Sequence, residues 1–144
     1  MSPEEVDAFL AATRTLNVAT IGPTGHPHLV AMWYGFHDDA PAFWTYGKSQ
    51  KIVNLRRDPR ITCLVETGAE YAELKGVELV GRGVILEDLE DVMVVGRSVF
   101  ERYTGEWSDA AAAGVAQMGA KRVVVKIEVD KVVSWDHAKL GGTY

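Results

Sequence analysis

One cysteine in 144 residues, Cys63, leaves no partner for an intramolecular disulfide. The chain therefore carries no sign of a secreted, disulfide-stapled scaffold. Cys63 lies inside an apolar run with no basic cluster to activate it, which reads as a buried strand residue and not a reactive thiol. No uninterrupted apolar segment approaches the roughly 20 residues of a membrane span. The opening Ser2-Pro3-Glu4-Glu5 is acidic where a signal peptide needs basic residues and an apolar run, so a cytoplasmic location with no membrane partner is expected. Basic residues are also in deficit: 15 Lys and Arg against 20 Asp and Glu give a formal charge of −5, which argues against a general nucleic-acid binder. Familiar metal-ligand spacings are missing, since His26 and His28 stand two apart while His37 and His137 are isolated, and no metal is expected. There is no Gly-x-Ser-x-Gly elbow, and Gly81-Arg82-Gly83 lacks the strand-to-helix setting of a dinucleotide fingerprint. Repeats, low-complexity tracts and linkers are absent as well, so residues 1–144 read as one domain.

What is present is an ordinary folded composition, 47% hydrophobic and 24% charged, with enough chain to bury a core unaided. Ser2, Pro3 and Glu5 form a capping box and a first-turn proline, starting a helix whose Val6, Phe9 and Leu10 share a face. Leu16 to Ile21 reads as a strand ended by Gly22-Pro23-Thr24-Gly25. His28 to Phe36 reads as its antiparallel partner, so continuously apolar that either both faces are buried or a ligand lies on one. After the turn His37 to Pro41, Ala42 to Tyr46 makes a third strand, and the three predict a meander. Further strands are expected over Ile61 to Glu66, Gly76 to Leu86, Arg122 to Val129 and Lys131 to Trp135. Gly81 and Gly83 mark a bend or a close backbone approach. Helices are expected over Glu87 to Tyr103 and from a Ser108 cap through Met118. The tail from Asp136 to Tyr144 reads as loosely held. The fold class that results is mainly β with flanking helices, α+β, built on an antiparallel barrel.

The most informative stretch is Thr45 to Arg60. A strand ends in Phe43, Trp44, Thr45 and Tyr46, Gly47 gives a flexible turn, and Lys48, Ser49 and Lys51 fall at the start of a short helix that Asp58-Pro59 stops. Those side chains, with backbone N–H groups and the positive end of the helix dipole, suit a phosphate. A solvated basic helix-turn has the same local pattern, and the two readings stay open at this level. Trp33, Tyr34, Trp44 and Tyr46 place planar side chains in two neighbouring strands close by, as core or as a ring site. A planar ring with a phosphate tail needs both halves.

Thr45-Tyr46-Gly47-Lys48-Ser49-Gln50-Lys51 and Asn54-Leu55-Arg56-Arg57-Asp58-Pro59-Arg60, with Ala19 to His28, Ala31-Met32-Trp33-Tyr34, Glu101 to Gly105 and Ser134 to His137, resemble the pyridoxamine 5′-phosphate oxidase-like split β-barrel proteins. Within these the chain is most similar to the actinobacterial group that binds the deazaflavin F420. The resemblance implies a six-stranded antiparallel split barrel that pairs as a homodimer with cofactor sites at the interface. It implies that Ser49 and Lys51 hold the cofactor phosphate, with Thr45 beside it and Lys48 as an extra donor. His28, Val30, Ala31 and Met32 match the strand along which the ring lies, and Trp33 lines the ring or the substrate space. Gln50 replaces the arginine usual in true pyridoxamine phosphate oxidases, and the tail lacks their substrate-phosphate arginines, which argues against vitamin B6 oxidation. The expected activity is hydride transfer from reduced F420 to an unsaturated or conjugated small organic acceptor. The alternatives are an FMN-dependent oxidoreductase and a non-catalytic F420 carrier. Arg56, Arg57 and Arg60 are candidates for the polyglutamate tail of F420, or simply a solvated face. No catalytic acid is assigned.

Overall fold

A computed structural model of the chain describes residues 1–141, and its first element, α1 (Pro3–Ala12), opens on the expected capping box. Ser2 Oγ accepts from the Glu5 backbone N–H at 3.2 Å, while the Glu5 carboxylate accepts from the Ser2 N–H at 2.7 Å. Two donors that a helix start would leave orphaned are thus satisfied. Val6, Phe9 and Leu10 form its buried face.

Seven strands follow: β1 (Leu16–Ile21), β2 (Pro27–Met32), β3 (Gly35–His37), β4 (Ala40–Tyr46), β5 (Arg60–Thr67), β6 (Lys75–Leu86) and β7 (Arg122–Asp136). Helix α2 (Gln50–Arg57) joins β4 to β5, and α3 (Leu89–Tyr103) and α4 (Asp109–Gly119) lie between β6 and β7. Every pairing is antiparallel, in the order β2-β1-β5-β6-β7-β4-β3. The two edge strands, β2 and β3, are neighbours in the chain with only Trp33 and Tyr34 between them. A ladder that starts at one edge must therefore curl to bring the other back, and the sheet forms a half-barrel. The α+β class and antiparallel sheet are as expected, but there are seven strands and not six.

The sequence also reads as seven runs, but they divide differently, and what reads as one strand from His28 to Phe36 is broken into β2 and β3. Tyr34 supplies the reason. Its N–H donates to Tyr103 Oη at 3.2 Å and its carbonyl accepts from Arg102 Nε at 3.0 Å, so side chains of α3 take the backbone groups that a ladder would use. The Tyr34 ring is fully buried, and its hydroxyl donates to the Leu10 carbonyl at 2.5 Å. The expected meander is also corrected: β2 pairs with β1, whereas β4 sits between β7 and β3 on the far side of the sheet. The final strand is continuous where two were expected. Asp130 is the extra residue of a bulge opposite Val80 and Gly81, and a Cβ at Gly81 would overlap the Glu128 carbonyl, so glycine permits that close approach.

The main core gathers Leu16, Val18, Phe43, Ile52, Cys63 and Val77 between the sheet and the helices α1 and α2. A second cluster, Ala42, Val92, Val95, Val99 and Val124, lies under α3. Cys63 is completely buried, and burial pushes its thiol up to about 12, so it stays neutral at physiological pH. Ser108 caps α4 as expected, its Oγ accepting from the Ala111 N–H at 3.1 Å. The tail is tied down further than expected. A 3₁₀ turn covers His137–Leu140, the His137 N–H donates to the Leu74 carbonyl at 2.9 Å, and Lys139 Nζ meets Glu5 at 2.7 Å. The rest of the stretch read as loose, residues 142–144, lies outside the described residues. No helix among the described residues is long and apolar enough to cross a membrane.

Arg102 holds the strand break in place. Its guanidinium donates to the carbonyls of Leu10, Ala11, Thr13 and Tyr34 at 2.7–3.4 Å, with the Tyr34 and Phe36 rings 4.7 and 5.0 Å away. Replacing Arg102 by Met keeps an apolar stem but leaves several half-buried carbonyls without a donor. The expected loss is about 2 to 4 kcal/mol of unfolding free energy in urea titrations; an unchanged midpoint would refute the role.

Candidate functional site

The chain leaves β4 through Gly47 and Lys48 and enters α2 with Ser49 as its N-cap residue. Ser49 does not use its side chain as a cap; its Oγ instead accepts from Thr45 Oγ1 at 3.4 Å. Thr45 Oγ1 in turn accepts from Lys51 Nζ at 3.0 Å. Thr45 and Lys51 are only 6% and 9% exposed. Among the described residues no carboxylate pairs with Lys51, and burial alone lowers its pKa. A buried ammonium with a single hydroxyl partner is costly and calls for an anion. Two hydroxyls, an unpaired cation and the first turn of a helix thus converge on one spot. Lys48 is exposed on the adjoining turn and joins none of these hydrogen bonds.

Helix α2 is docked on β1 through polar groups. Gln50 Nε2 donates to Asn54 Oδ1 at 2.7 Å, and fully buried Asn54 donates to Thr20 Oγ1 at 3.0 Å. Thr20 stands opposite His28 in the β1–β2 ladder. The His28 Nδ1 atom is buried with no hydrogen-bond partner among the described residues, an unsatisfied group on the strand expected to carry a ring. Strand β2 has a paired neighbour on one side only, and its residues alternate: Pro27, Leu29 and Ala31 exposed, His28, Val30 and Met32 half-buried. Of the two readings of this run, burial on both faces does not hold, because one face of β2 is exposed; β2 is also an edge strand. An edge leaves backbone donors and acceptors open to a ligand.

At the far end of β2, Met32 and Trp33 enter a cavity of about 350 Å³ also lined by Trp44, Val99, Phe100 and Arg122. Trp33 is 58% exposed and stacks on Tyr103 with centroids 4.4 Å apart. Helices α3 and α4 close over Trp44 because Gly96 has no side chain; a Cβ there would come within 2.8 Å of the Trp44 ring. The four aromatic side chains read from the sequence have different partners, although Trp33 and Trp44 line the same cavity. Trp33 and Tyr34 are drawn to α3, whereas Trp44 and Tyr46 flank the Arg122 guanidinium at 4.7 and 4.8 Å.

The structure thus brings Thr45, Ser49 and Lys51 into one hydrogen-bonded group, and places His28, Val30, Ala31 and Met32 on the edge strand β2, with Trp33 just past its end. The three arginines divide. Arg56 pairs with Glu87 at 2.5 Å and Arg60 with Asp58 at 2.6 Å, the latter contact holding the Asp58 carboxyl at about 2. Arg57 instead donates to the Ile21 carbonyl at 2.5 Å. Sequence reasoning assigned no role to Thr20, Asn54 and Arg122. The contacts that place them, Asn54 on Thr20 and Arg122 on Trp44 and Tyr46, join residues tens of positions apart, so no local pattern shows those pairings. Among the described residues, no group of three His, Cys, Asp or Glu side chains is placed to hold a metal.

The model of the family described as pyridoxamine 5′-phosphate oxidase matches residues 2–136. This chain belongs to that family. Among solved structures, the family fold recurs in the conserved hypothetical protein Rv2991 from Mycobacterium tuberculosis, 48% identical, with a TM-score of 0.96 over 100% of this chain and 90% of that one. A structure named F420 reductase, from Mycobacterium smegmatis, is 21% identical with a TM-score of 0.67 over 88% of this chain and 94% of its own. HutZ, a heme storage protein from Vibrio cholerae, is 13% identical with a TM-score of 0.70 over 91% and 92%. The last two likenesses are of fold alone. No curated protein matches the chain.

Lys51 yields a signed prediction. Its folded-state pKa lies below the unfolded value, so the folded protein releases that proton first as pH rises. The penalty for burying the charge is complete below the folded pKa and disappears above the unfolded value, so wild-type stability climbs with pH across that interval. In Lys51→Met the penalty is absent. Urea titrations should find the ligand-free variant at least as stable as wild type at neutral pH, with the advantage shrinking toward pH ~10. A variant markedly less stable at neutral pH would mean that Lys51 is a structural residue.

Proposed function

We propose that this protein is an oxidoreductase that binds the deazaflavin F420, with FMN as the alternative, and passes hydride to an unsaturated or conjugated small organic acceptor. The observation that carries the reading is Lys51: a buried cation beside Thr45 and Ser49 with no carboxylate partner among the described residues. These three would hold the cofactor phosphate, and exposed Lys48 would add a donor when the turn meets an anion. The ring would lie along His28 to Met32, where an unpaired strand edge offers backbone groups and Trp33 offers a planar face. When bound, the deazaflavin supplies hydride chemistry, and the chain's own part is to bind, orient and exclude water.

The preference for F420 over FMN draws on the Asn54 to Arg60 segment and on the fold neighbour named F420 reductase. It is also supported by Arg57 at the C-terminal end of α2, which makes no salt bridge among the described residues and donates to the Ile21 carbonyl, leaving it better placed than its neighbours to meet an anionic tail. Arg56 and Arg60 are committed to Glu87 and Asp58, which makes them poorer candidates for the tail. Side-by-side fluorescence titrations with F420 and FMN test the assignment. F420 should bind, and Lys51→Ala should weaken it by roughly 1 to 3 kcal/mol. FMN binding at micromolar concentration with none for F420 would overturn it. Bound reduced F420 that no acceptor in a broad panel oxidises would favour a carrier.

The proposal includes a homodimer. The outer face of the sheet places Ala19 beside Leu29 and brings Leu64, Val133 and Trp135 onto the same side together with Asn17, Thr62 and Glu78, a mixed surface with exposed apolar side chains next to the ring edge. Leu29 is 69% exposed, and a second copy of the chain would cover it. Light scattering should give twice the 15.8 kDa chain mass, with Leu29→Asp shifting the protein toward monomer. A wild-type monomer would undo this part of the reading.

A further inference from the structure

The cavity at the end of β2 has one charged lining residue among those described, Arg122; beyond it the lining offers only the Thr104 hydroxyl and the indole N–H groups of Trp33 and Trp44 as polar groups. Trp33, Trp44, Phe100, Val99 and Val115 supply its apolar walls. Arg122 opens β7 directly opposite Tyr46, so its guanidinium lies over Tyr46 and Trp44 at once, 4.8 and 4.7 Å from the ring centroids. Two rings hold it in place and leave its N–H edges available. Among the described residues it has no carboxylate partner, and its one hydrogen bond is a long contact of 3.5 Å to the Met118 carbonyl. A volume of about 350 Å³ sits at the small end of ligand pockets, and an apolar pocket with one convergent polar group is the usual form of a small-molecule site.

We infer that this cavity takes a small organic acid, with a planar apolar body of about one substituted ring against Trp44 and Phe100 and a single carboxylate on Arg122. The aromatic walls select the flat body. The lone cation selects one negative charge, since a guanidinium matches a carboxylate with two parallel hydrogen bonds, whereas a phosphate dianion would call for a second cation that the lining lacks. Met32 ends the strand proposed for the cofactor ring and Trp33 follows it directly, and both line this cavity. An acid seated here would therefore be the hydride acceptor, and that role, though not the binding itself, rests on the function proposed above.

The test is made on the purified full chain without added cofactor, using trans-cinnamate as probe and cinnamyl alcohol as its uncharged counterpart. Binding is read by quenching of tryptophan fluorescence, since Trp33 and Trp44 line the cavity, and by equilibrium dialysis. Cinnamate should bind about tenfold more tightly than the alcohol or better. Arg122→Gln should lower cinnamate to the alcohol's level while leaving the alcohol unchanged, and Arg122→Lys should recover part of the difference. Equal binding of acid and alcohol by wild type, no binding of either, or full cinnamate affinity in folded Arg122→Gln would each overturn the inference. The acid–alcohol comparison needs no variant, so a misfolded Arg122→Gln does not decide the matter. If Arg122-dependent cinnamate binding is found in a protein that binds no F420, the acid site stands and its role as acceptor site falls.

Discussion

The fold turns on one residue's backbone. Tyr34 gives its N–H to Tyr103 and its carbonyl to Arg102, and by leaving the ladder it lets the chain pass from one edge of the sheet to the other within two residues. Arg102 joins that crossing to the end of α1, using carbonyls that a helix terminus leaves open. Ser98 completes the clamp by accepting from the Phe36 N–H at 3.0 Å, and Gly35 admits it, since a Cβ there would stand 2.8 Å from the Ser98 Cβ. The cavity lined by Met32, Trp33 and Phe100 follows from this arrangement. Without the break, Trp33 would continue β2 and could not stack on Tyr103.

Two kinds of unsatisfied group meet in this half of the molecule. Among the described residues, Lys51 is a buried cation with no anion paired to it, and His28 Nδ1 is a buried nitrogen with no hydrogen-bond partner. Native interiors rarely leave such groups alone unless a ligand or function uses them. Asn54 keeps the two in register, because its bond to Thr20 fixes α2 against β1, whose partner strand carries His28. A single buried amide thereby sets the spacing between the end suited to a phosphate and the edge suited to a ring.

Much of this was legible in the sequence where chemistry is local. The Ser2–Glu5 box, the Ser108 cap, the burial of Cys63 and the α2 start after Gly47 depend on residues within a few positions of each other. Close glycine approaches were legible too, and Gly81 sits at the bulge that a glycine in a strand interior suggests. What escaped were pairings chosen at a distance. An apolar run from His28 to Phe36 cannot reveal that Arg102 and Tyr103 interrupt it. Nor can a run of strands reveal that β2 and β4 end on opposite sides of the sheet. Arg122 reads as the polar start of an alternating strand, and only the register opposite Tyr46 places it between two rings.

The strand order also governs how the molecule is built in time. Strand β4 pairs with β7, and their contact joins Tyr46 to Arg122 across most of the chain. As the polypeptide emerges from a ribosome, β1, β2, β5 and β6 can assemble from neighbouring pieces, but β4 and β3 have only each other until residues 122–136 appear. Such distant closure is slow and leaves strand edges exposed while it waits. The Thr45–Ser49–Lys51 group hangs from β4, so it is among the last parts to acquire its final geometry, and a nascent chain truncated before Arg122 would hold Lys51 and Thr45 without the strand that fixes them.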